Sequence, residues 1–323
     1  MKAIVQDRYG SADVLEFRDI EEPVAEDGDV LVRVHSAGCG PDVWHLMTGL
    51  PKMVRLMPGF HEMRAEVRGR DVAGVVEAVG SAVTGFEPGD EVMGIAEGSF
   101  AELAIAEPGK LVPKPANLTF EQAAAAPISG LTALQALRDG ADVQPGQRVL
   151  VVGAAGGVGS LAVQIAKAYG AEVTGVCSTR KIDLVRSIGA DDVIDYTNED
   201  FADGSRHWEV VVETAGRRTL SDLRRAIIPR GTLVIVGGEG GGEWTGGFFR
   251  QMLRAPLLSL FVGQRLRGLV SKEEPEDLVA LAELLEAGSV TPVVDRTYPL
   301  IDAPDAIRYL EKGHAAGKIV ITV

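Results

Sequence analysis

Residues 149–160 read VLVVGAAGGVGS, an apolar run that enters a turn carrying four glycines in seven residues. The segment that follows, Leu161 to Tyr169, places Val158, Ala162, Ile165 and Tyr169 on one face of a helix. Strand, glycine turn and helix N-terminus together form a seat for a pyrophosphate. Gly153 and Gly156 let the backbone turn and approach a ligand, and Gly159 lets the helix lie close to the strand. The unpaired N–H groups of the helix's first turn then face the anion. A nucleotide P-loop needs lysine after its last glycine, and Ser160 stands there instead.

The 323 residues suffice for about two domains with a buried core. The longest apolar runs, such as Ala123–Ala126 and Leu257–Val262, fall far short of the ~20 residues that span a bilayer. Residues 1–7 lack a secretory pattern and read as a first strand. Two cysteines, Cys39 and Cys177, can build neither a disulfide framework nor a four-thiolate zinc site, so the cytoplasm is the expected location. A net charge of −14 disfavours nucleic acid and anionic membrane surfaces as partners.

The first third is rich in strands and turns: residues 30–35 alternate, 72–79 form a second strand closed by Gly80, and 86–93 turn into a third. From about Phe120 the pattern changes. Thr119 caps a helix that resumes after Pro127. Strands at 148–153, 172–177, 193–195, 209–213 and 231–236 then alternate with helices at 157–169, 180–188 and 219–227. That alternation predicts a doubly wound parallel sheet. Helices at 275–287 and 304–312 and strands at 291–298 and 318–323 follow, so the tail returns to complete the first domain.

The second strand of a dinucleotide fold ends near the adenosine ribose, where an acid selects NAD and cations select NADP. Here Cys177 is followed by Ser178, Thr179, Arg180 and Lys181, with no acid before Asp183. Two hydroxyls and two cations suit a 2′-phosphate. Cations at a helix N-terminus are unfavourable unless an anion is bound. The pattern predicts NADP(H).

An ordered series of motifs carries a wider resemblance: GRDVAGVVEAVG at 69–80, FEPGDEV at 86–92, ISGLTA at 128–133, GAAGGVG at 153–159, IGADDVIDY at 188–196 and GKIV at 317–320. Over nearly its whole length the chain resembles the medium-chain dehydrogenases/reductases, specifically their zinc-free quinone oxidoreductase branch. The resemblance implies an α/β protein: a GroES-like β-rich catalytic domain (1–120, completed by 273–323) and a Rossmann doubly wound parallel-sheet cofactor domain (121–272), with NADPH and substrate in the cleft between them. It places Gly156, Gly157, Val158 and Gly159 on the pyrophosphate, and Ser178 and Lys181, beside Arg180, on the 2′-phosphate. Tyr196 would lie beside the adenosine ribose, with Thr132 and Gly237 nearer the nicotinamide. Each has a plainer alternative: a packing tyrosine, a helix hydroxyl, a turn glycine.

Zinc-dependent relatives need a cysteine after the first glycine turn and a Gly-His-Glu before the second strand. Residues 36–42 read SAGCGPD, with Gly40 in the ligand position and Cys39 one residue early, and Arg70 replaces the histidine. His61 and Glu62 lie upstream, in an inserted segment from Thr48 to Val67. No metal is expected. Quinone reductase relatives often carry asparagine where Gly40 stands, so Trp44, His45 and the insertion with Met53, Met57 and Pro58 become the candidate cleft wall. His45 also has the reading of a helix-surface histidine.

Without a metal nothing lowers an alcohol's pKa, whereas hydride addition to a quinone or α,β-unsaturated carbonyl needs less assistance. The reading is therefore a zinc-independent, NADPH-dependent reductase of quinones or enones, with no proton donor identified. An enoyl-thioester reductase and a nucleotide-binding protein with little turnover are the alternatives. Leu257–Val262 is read as a strand that extends the sheet across the two-fold axis of a homodimer.

Overall fold

The computed structural model describes residues 1–52, 55, 66–237 and 246–323. Met53, Met57, Pro58, His61, Glu62 and the glycine run from Gly238 lie outside the described residues. The chain divides into two compact units, Met1–Ile128 with Glu273–Val323, and Ser129–Lys272.

The chain opens with β1 (Lys2–Gln6), β2 (Glu16–Asp19), β3 (Val30–Cys39), α1 (Pro41–Thr48) and β4 (Glu66–Val67). It continues with β5 (Asp71–Val79), β6 (Glu91–Ile95), β7 (Leu103–Ala106), β8 (Leu111–Pro113) and α2 (Phe120–Ala124). Alternation in β3 exposes Arg33 and His35 between buried Val32 and Val34, so one strand face meets the core. The exposed His35 ring stacks on Phe120 at 4.3 Å between centroids, which ties α2 to β3. Thr119 caps α2, as the sequence indicates, and Gln122 closes a capping box with it.

Next come α3 (Pro127–Gln135), β9 (Arg148–Val152), α4 (Gly157–Ala168), β10 (Glu172–Cys177), α5 (Ile182–Ser187) and β11 (Asp192–Asp195). They are followed by β12 (Trp208–Glu213), α6 (Leu220–Arg225), β13 (Ile227–Ile235), α7 (Gly246–Ser259) and β14 (Arg265–Gly268). The chain closes with α8 (Pro275–Glu286), β15 (Val294–Pro299), α9 (Ala303–Glu311) and β16 (Lys318–Thr322).

In the first unit a seven-stranded sheet runs β15-β16-β3-β5-β6-β8, with β7 also on β3, and β2-β1-β4 form a smaller sheet. The returning β16 pairs antiparallel with β3, Ile319 opposite Cys39, so the C-terminal segment belongs to the core of this unit.

The second unit holds a parallel sheet of six strands, β11-β10-β9-β12-β13-β14. Its inner strands are continuous apolar runs because helices cover both faces: Leu150, Val211 and Leu233 are fully buried. Strand order reverses between β9 and β12, the point at which open α/β sheets bind ligands beyond their carboxyl ends.

Two expectations are corrected. Leu257–Val262 is not a strand: it spans the last residues of α7 and the turn after it. Its apolar run is that of a helix end with one packed side. Leu258 and Val262 pack on the core, while Leu257, Leu260 and Phe261 are exposed. Among the described residues the sheet ends at β14 on this side and at β11 on the other. Arg180 and Lys181 also precede the helix they were expected to begin, in a 3-10 turn at Thr179–Lys181, because α5 starts only at Ile182.

Candidate cofactor site

The turn between β9 and α4 has the geometry that a pyrophosphate requires. Gly153 takes φ +84°, which L side chains rarely adopt, and a Cβ there would lie 2.5 Å from Thr214 Oγ1. A Cβ on Gly159 would lie 2.1 Å from the Gly153 carbonyl oxygen, so α4 can approach the turn this closely only without a side chain. Gly156 differs. A Cβ there would meet only the Gly153 oxygen, at 3.4 Å, so its glycine leaves open space at the N-terminus of α4. Gly156 caps α4 with no side-chain hydrogen bond, and Ser160 is the first residue whose N–H reaches back to its carbonyl, at 2.9 Å. The N–H groups of Gly157, Val158 and Gly159 are thus the helix's unpaired donors. This cradle fits a pyrophosphate.

The ends of β10 and β11 are brought together by their parallel register, Cys177 opposite Asp195. The Tyr196 N–H donates to the Cys177 carbonyl at 3.1 Å, which places Tyr196, about half exposed, beside Ser178. Ser178 is partly buried and its hydroxyl does not cap the 3-10 turn. Arg180 is exposed and Lys181 partly so. The four residues assigned to the adenosine end therefore share one strand-end cluster.

Sequence reading missed Asp195 in this cluster. Its carboxylate accepts hydrogen bonds from Thr179 Oγ1 at 2.5 Å, Thr197 N at 3.0 Å, Thr197 Oγ1 at 2.7 Å and Asn198 Nδ2 at 2.8 Å. Those bonds, Thr179 first, hold its pKa below the usual carboxylate range. With its lone pairs turned onto this turn, Asp195 shapes the loop that carries Arg180 and Lys181.

At the switch point two further residues emerge, Glu213 and Thr214. Thr214 Oγ1 donates to the Val152 carbonyl at 2.8 Å. A Cβ on Gly237 would lie 3.3 Å from the Thr214 carbonyl oxygen, so Gly153, Thr214 and Gly237 crowd one spot. Glu213 is fully buried and its Oε1 accepts the N–H groups of Ala215 at 2.7 Å and Gly216 at 2.6 Å. Burial pushes this carboxyl up to about 7 against those two bonds. Thr132 is nearly buried on α3, its hydroxyl donating to Ser271 Oγ at 3.1 Å, a contact that serves the unit's own packing. A depression of about 330 Å³ lined by Arg138, Asp142, Val143, Pro145 and Tyr169 lies by the start of β9 and the end of α4, at the amino ends of the strands, opposite the glycine turn.

Comparison with known proteins shows the family. Residues 26–116 match the model of the alcohol dehydrogenase GroES-like domain, and residues 188–321 match that of the zinc-binding dehydrogenases. The quinone oxidoreductase of Sus scrofa is 32% identical over 99% of this chain and 97% of its own length. The chain belongs to the medium-chain dehydrogenase/reductase superfamily, in its quinone oxidoreductase-like branch. The NADPH-dependent alkenal/one oxidoreductase of Arabidopsis thaliana is 35% identical over 99% of the chain and 79% of the relative. The structure of mycobacterial Rv1454c complexed with NADPH superposes with a TM-score of 0.83 at 26% identity, covering 100% of both chains. The protein is therefore an oxidoreductase of an NAD(P)H-dependent quinone and alkenal reductase family.

The two positions read from the sequence as those of zinc ligands, Gly40 and Arg70, carry other chemistry. Gly40 is the buried N-cap of α1, and the Arg70 guanidinium reaches Glu273 Oε1 at 2.5 Å. Among the described residues no group of three His, Cys, Asp or Glu could hold a metal ion. Trp44 and His45 stand on α1, partly buried; Trp44 Nε1 donates to Glu311 at 3.0 Å, and His45 Nδ1 lies 2.6 Å from the Leu50 carbonyl.

Proposed function

We propose that this quinone oxidoreductase-like protein is a zinc-independent, NADPH-dependent reductase of quinones or α,β-unsaturated carbonyls. The observation that carries the reading is the replacement of ligand chemistry at Gly40 and Arg70: one has no side chain and the other is a cation paired with Glu273. A substrate whose activation needs a Lewis acid is poorly served there, whereas a quinone or enone is already electrophilic. NADPH supplies a hydride when bound. The N–H groups of Gly157, Val158 and Gly159 would hold its pyrophosphate, Ser178, Arg180 and Lys181 its 2′-phosphate, and Tyr196 would flank its ribose. Thr132 and Gly237 remain candidates for the nicotinamide half. The substrate would lie by Gly40, Trp44 and His45. Steady oxidation of NADPH by quinones or enones, with alcohols and NADP inert, tests the reading. Preference for enoyl thioesters would favour the thioester alternative, and tight NADPH binding without turnover a binding role.

The cofactor assignment makes its own prediction. NADPH binds more tightly than NADH by about 2 kcal/mol, roughly thirtyfold, through charge-assisted bonds to the phosphate. Lys181→Ala and Arg180→Ala each reduce that preference in paired dissociation constants; equal constants in the parent protein would remove the assignment. Metal independence predicts no stoichiometric zinc by elemental analysis and full activity after chelation. Zinc that leaves together with activity would refute it.

A homodimer is proposed on a revised surface. Among the described residues strand β14 ends its sheet on one side, and α7 and its following turn expose Leu253, Leu257, Leu260 and Phe261. Pairing β14 with a second copy would satisfy its free edge and cover these side chains. Light scattering should find a dimer at micromolar concentration, and Leu260→Lys with Phe261→Lys should yield a folded monomer. Leu258 is no probe of this, since it packs inward. A reducing cytoplasmic location agrees with two free, buried cysteines.

A further inference from the structure

The turn that carries the proposed 2′-phosphate contacts is pinned from the neighbouring strand. Ser178, Thr179, Arg180 and Lys181 are consecutive, and the Lys181 N–H donates to the Ser178 carbonyl at 2.8 Å to close the 3-10 turn. Thr179, between Ser178 and Arg180, reaches across to β11, where its hydroxyl donates to Asp195 Oδ2. Asp195 is itself held: Thr197 gives its N–H and its hydroxyl to Oδ1, and Asn198 Nδ2 donates to Oδ2. The Asp195 carbonyl also accepts the N–H groups of Asn198 at 3.0 Å and Glu199 at 2.9 Å. Asp195 is 6% exposed whereas Thr179 is exposed, so this bracket runs from a buried strand end to a surface turn.

Charge alone makes Asp195 a poor neighbour for a phosphate. Its hydrogen bonds, Thr179 first, hold it below the usual carboxylate range, so it is anionic at neutral pH. Burial and then the Asp195 charge push the Cys177 thiol up to about 11, while Lys181 and Arg186 pull it down. The carboxylate and the Lys181 ammonium thus act on one strand end with opposite sign. A carboxylate offers about four acceptor sites. Thr179 Oγ1, Thr197 N, Thr197 Oγ1 and Asn198 Nδ2 already take them. An acid that selects NAD accepts the ribose hydroxyl, and the acceptor sites of Asp195 are spent on the protein instead.

We propose that Asp195 is a positioning residue for cofactor choice: through Thr179 it sets the turn of Ser178, Arg180 and Lys181 to receive the 2′-phosphate, and this outweighs the repulsion of its own charge. The inference rests on the NADPH reading. It fixes a sign that charge alone would reverse. Removing a negative charge beside a phosphate strengthens phosphate binding, whereas loosening the turn that holds the phosphate weakens it. A nucleotide without the 2′-phosphate makes no use of these contacts, so the effect is confined to the phosphate-bearing ligand.

The test measures dissociation constants by calorimetry for adenosine 2′,5′-bisphosphate and adenosine 5′-monophosphate, with no turnover involved. Thr179→Val keeps every charge and removes the hydroxyl that reaches Asp195. Its preference for the bisphosphate should fall about fivefold, while Thr179→Ser stays within about twofold of the parent. In Asp195→Asn one amide oxygen and an NH₂ group face the donors that the carboxylate held. Its preference should also fall about fivefold, despite the lost negative charge. Monophosphate binding should hold within about twofold in all three variants, which also shows that they fold. A preference that rises or holds in Asp195→Asn, or holds in Thr179→Val, overturns the proposal. So does an equal fall in Thr179→Ser and Thr179→Val, or an equal loss of both nucleotides, which marks a merely structural part. A parent that binds the two nucleotides alike removes the NADPH reading, and the proposal with it.

Discussion

Replacing Gly159 with alanine should destabilise the protein by about 3 kcal/mol and abolish NADPH binding. The added methyl would sit 2.1 Å from the Gly153 carbonyl oxygen, 2.8 Å from its carbonyl carbon and 3.0 Å from Ala154 Cα, all backbone atoms of the turn. No rotamer change can relieve such a contact. Either α4 must retreat from the turn or the turn must open, and both displace the N–H groups that would face the pyrophosphate. Gly156→Ala is the matched comparison, because its methyl meets only one atom, at 3.4 Å. That variant should keep the parent's denaturation midpoint yet lose NADPH affinity, since its methyl would project into the space that the proposed pyrophosphate site needs. Thermal melts and cofactor titrations on both variants separate the two roles. Equal stability of Gly159→Ala and the parent would show that the helix does not need this approach, and undiminished affinity in Gly156→Ala would move the pyrophosphate elsewhere.

That contrast also marks what one chain of letters can convey. The glycine turn was legible because strand, turn and helix are consecutive, and local spacing specifies all three. The parallel sheet was legible for the same reason: apolar runs alternate with amphipathic segments. Asp195 was not, because its importance comes from register; only the pairing of β10 with β11 brings it onto Thr179. Glu213 and Thr214 owe their place to the switch between β9 and β12, and the Asp71–Lys318 pair joins residues from opposite ends of the chain. Leu257–Val262 failed differently. A short apolar run has no period of its own, and Ala255, fully buried one turn earlier, shows that the run continues the packed side of α7.

Glu213 should make the protein's stability fall by about 3 kcal/mol as pH rises from about 4.5 to 7. Its ordinary value is 4.5, and burial at the end of β12 lifts it to about 7 in the folded chain. Between those values the native state holds a proton that the unfolded state has released. Stability from this group is therefore full below about pH 4.5 and is lost as pH climbs through the folded value. The N–H groups of Gly216 and Ala215, and then the Arg218 charge, oppose the lift without cancelling it; Arg218 also pairs with Asp200 at 2.9 Å. Carboxylates with lowered values, Asp195 and Asp222 among them, exert their effect below the ordinary carboxylate range, outside this window. Glu213→Gln isolates the contribution, because its amide oxygen can still accept both backbone N–H groups while it carries no proton to lose. Urea denaturation at pH 4.5 should give the two proteins similar stabilities, and at pH 8 the glutamine variant should be the more stable by about 3 kcal/mol. Parallel stability curves would mean that Glu213 is ionised throughout, with its unpartnered Oε2 solvated by water that reaches the switch point.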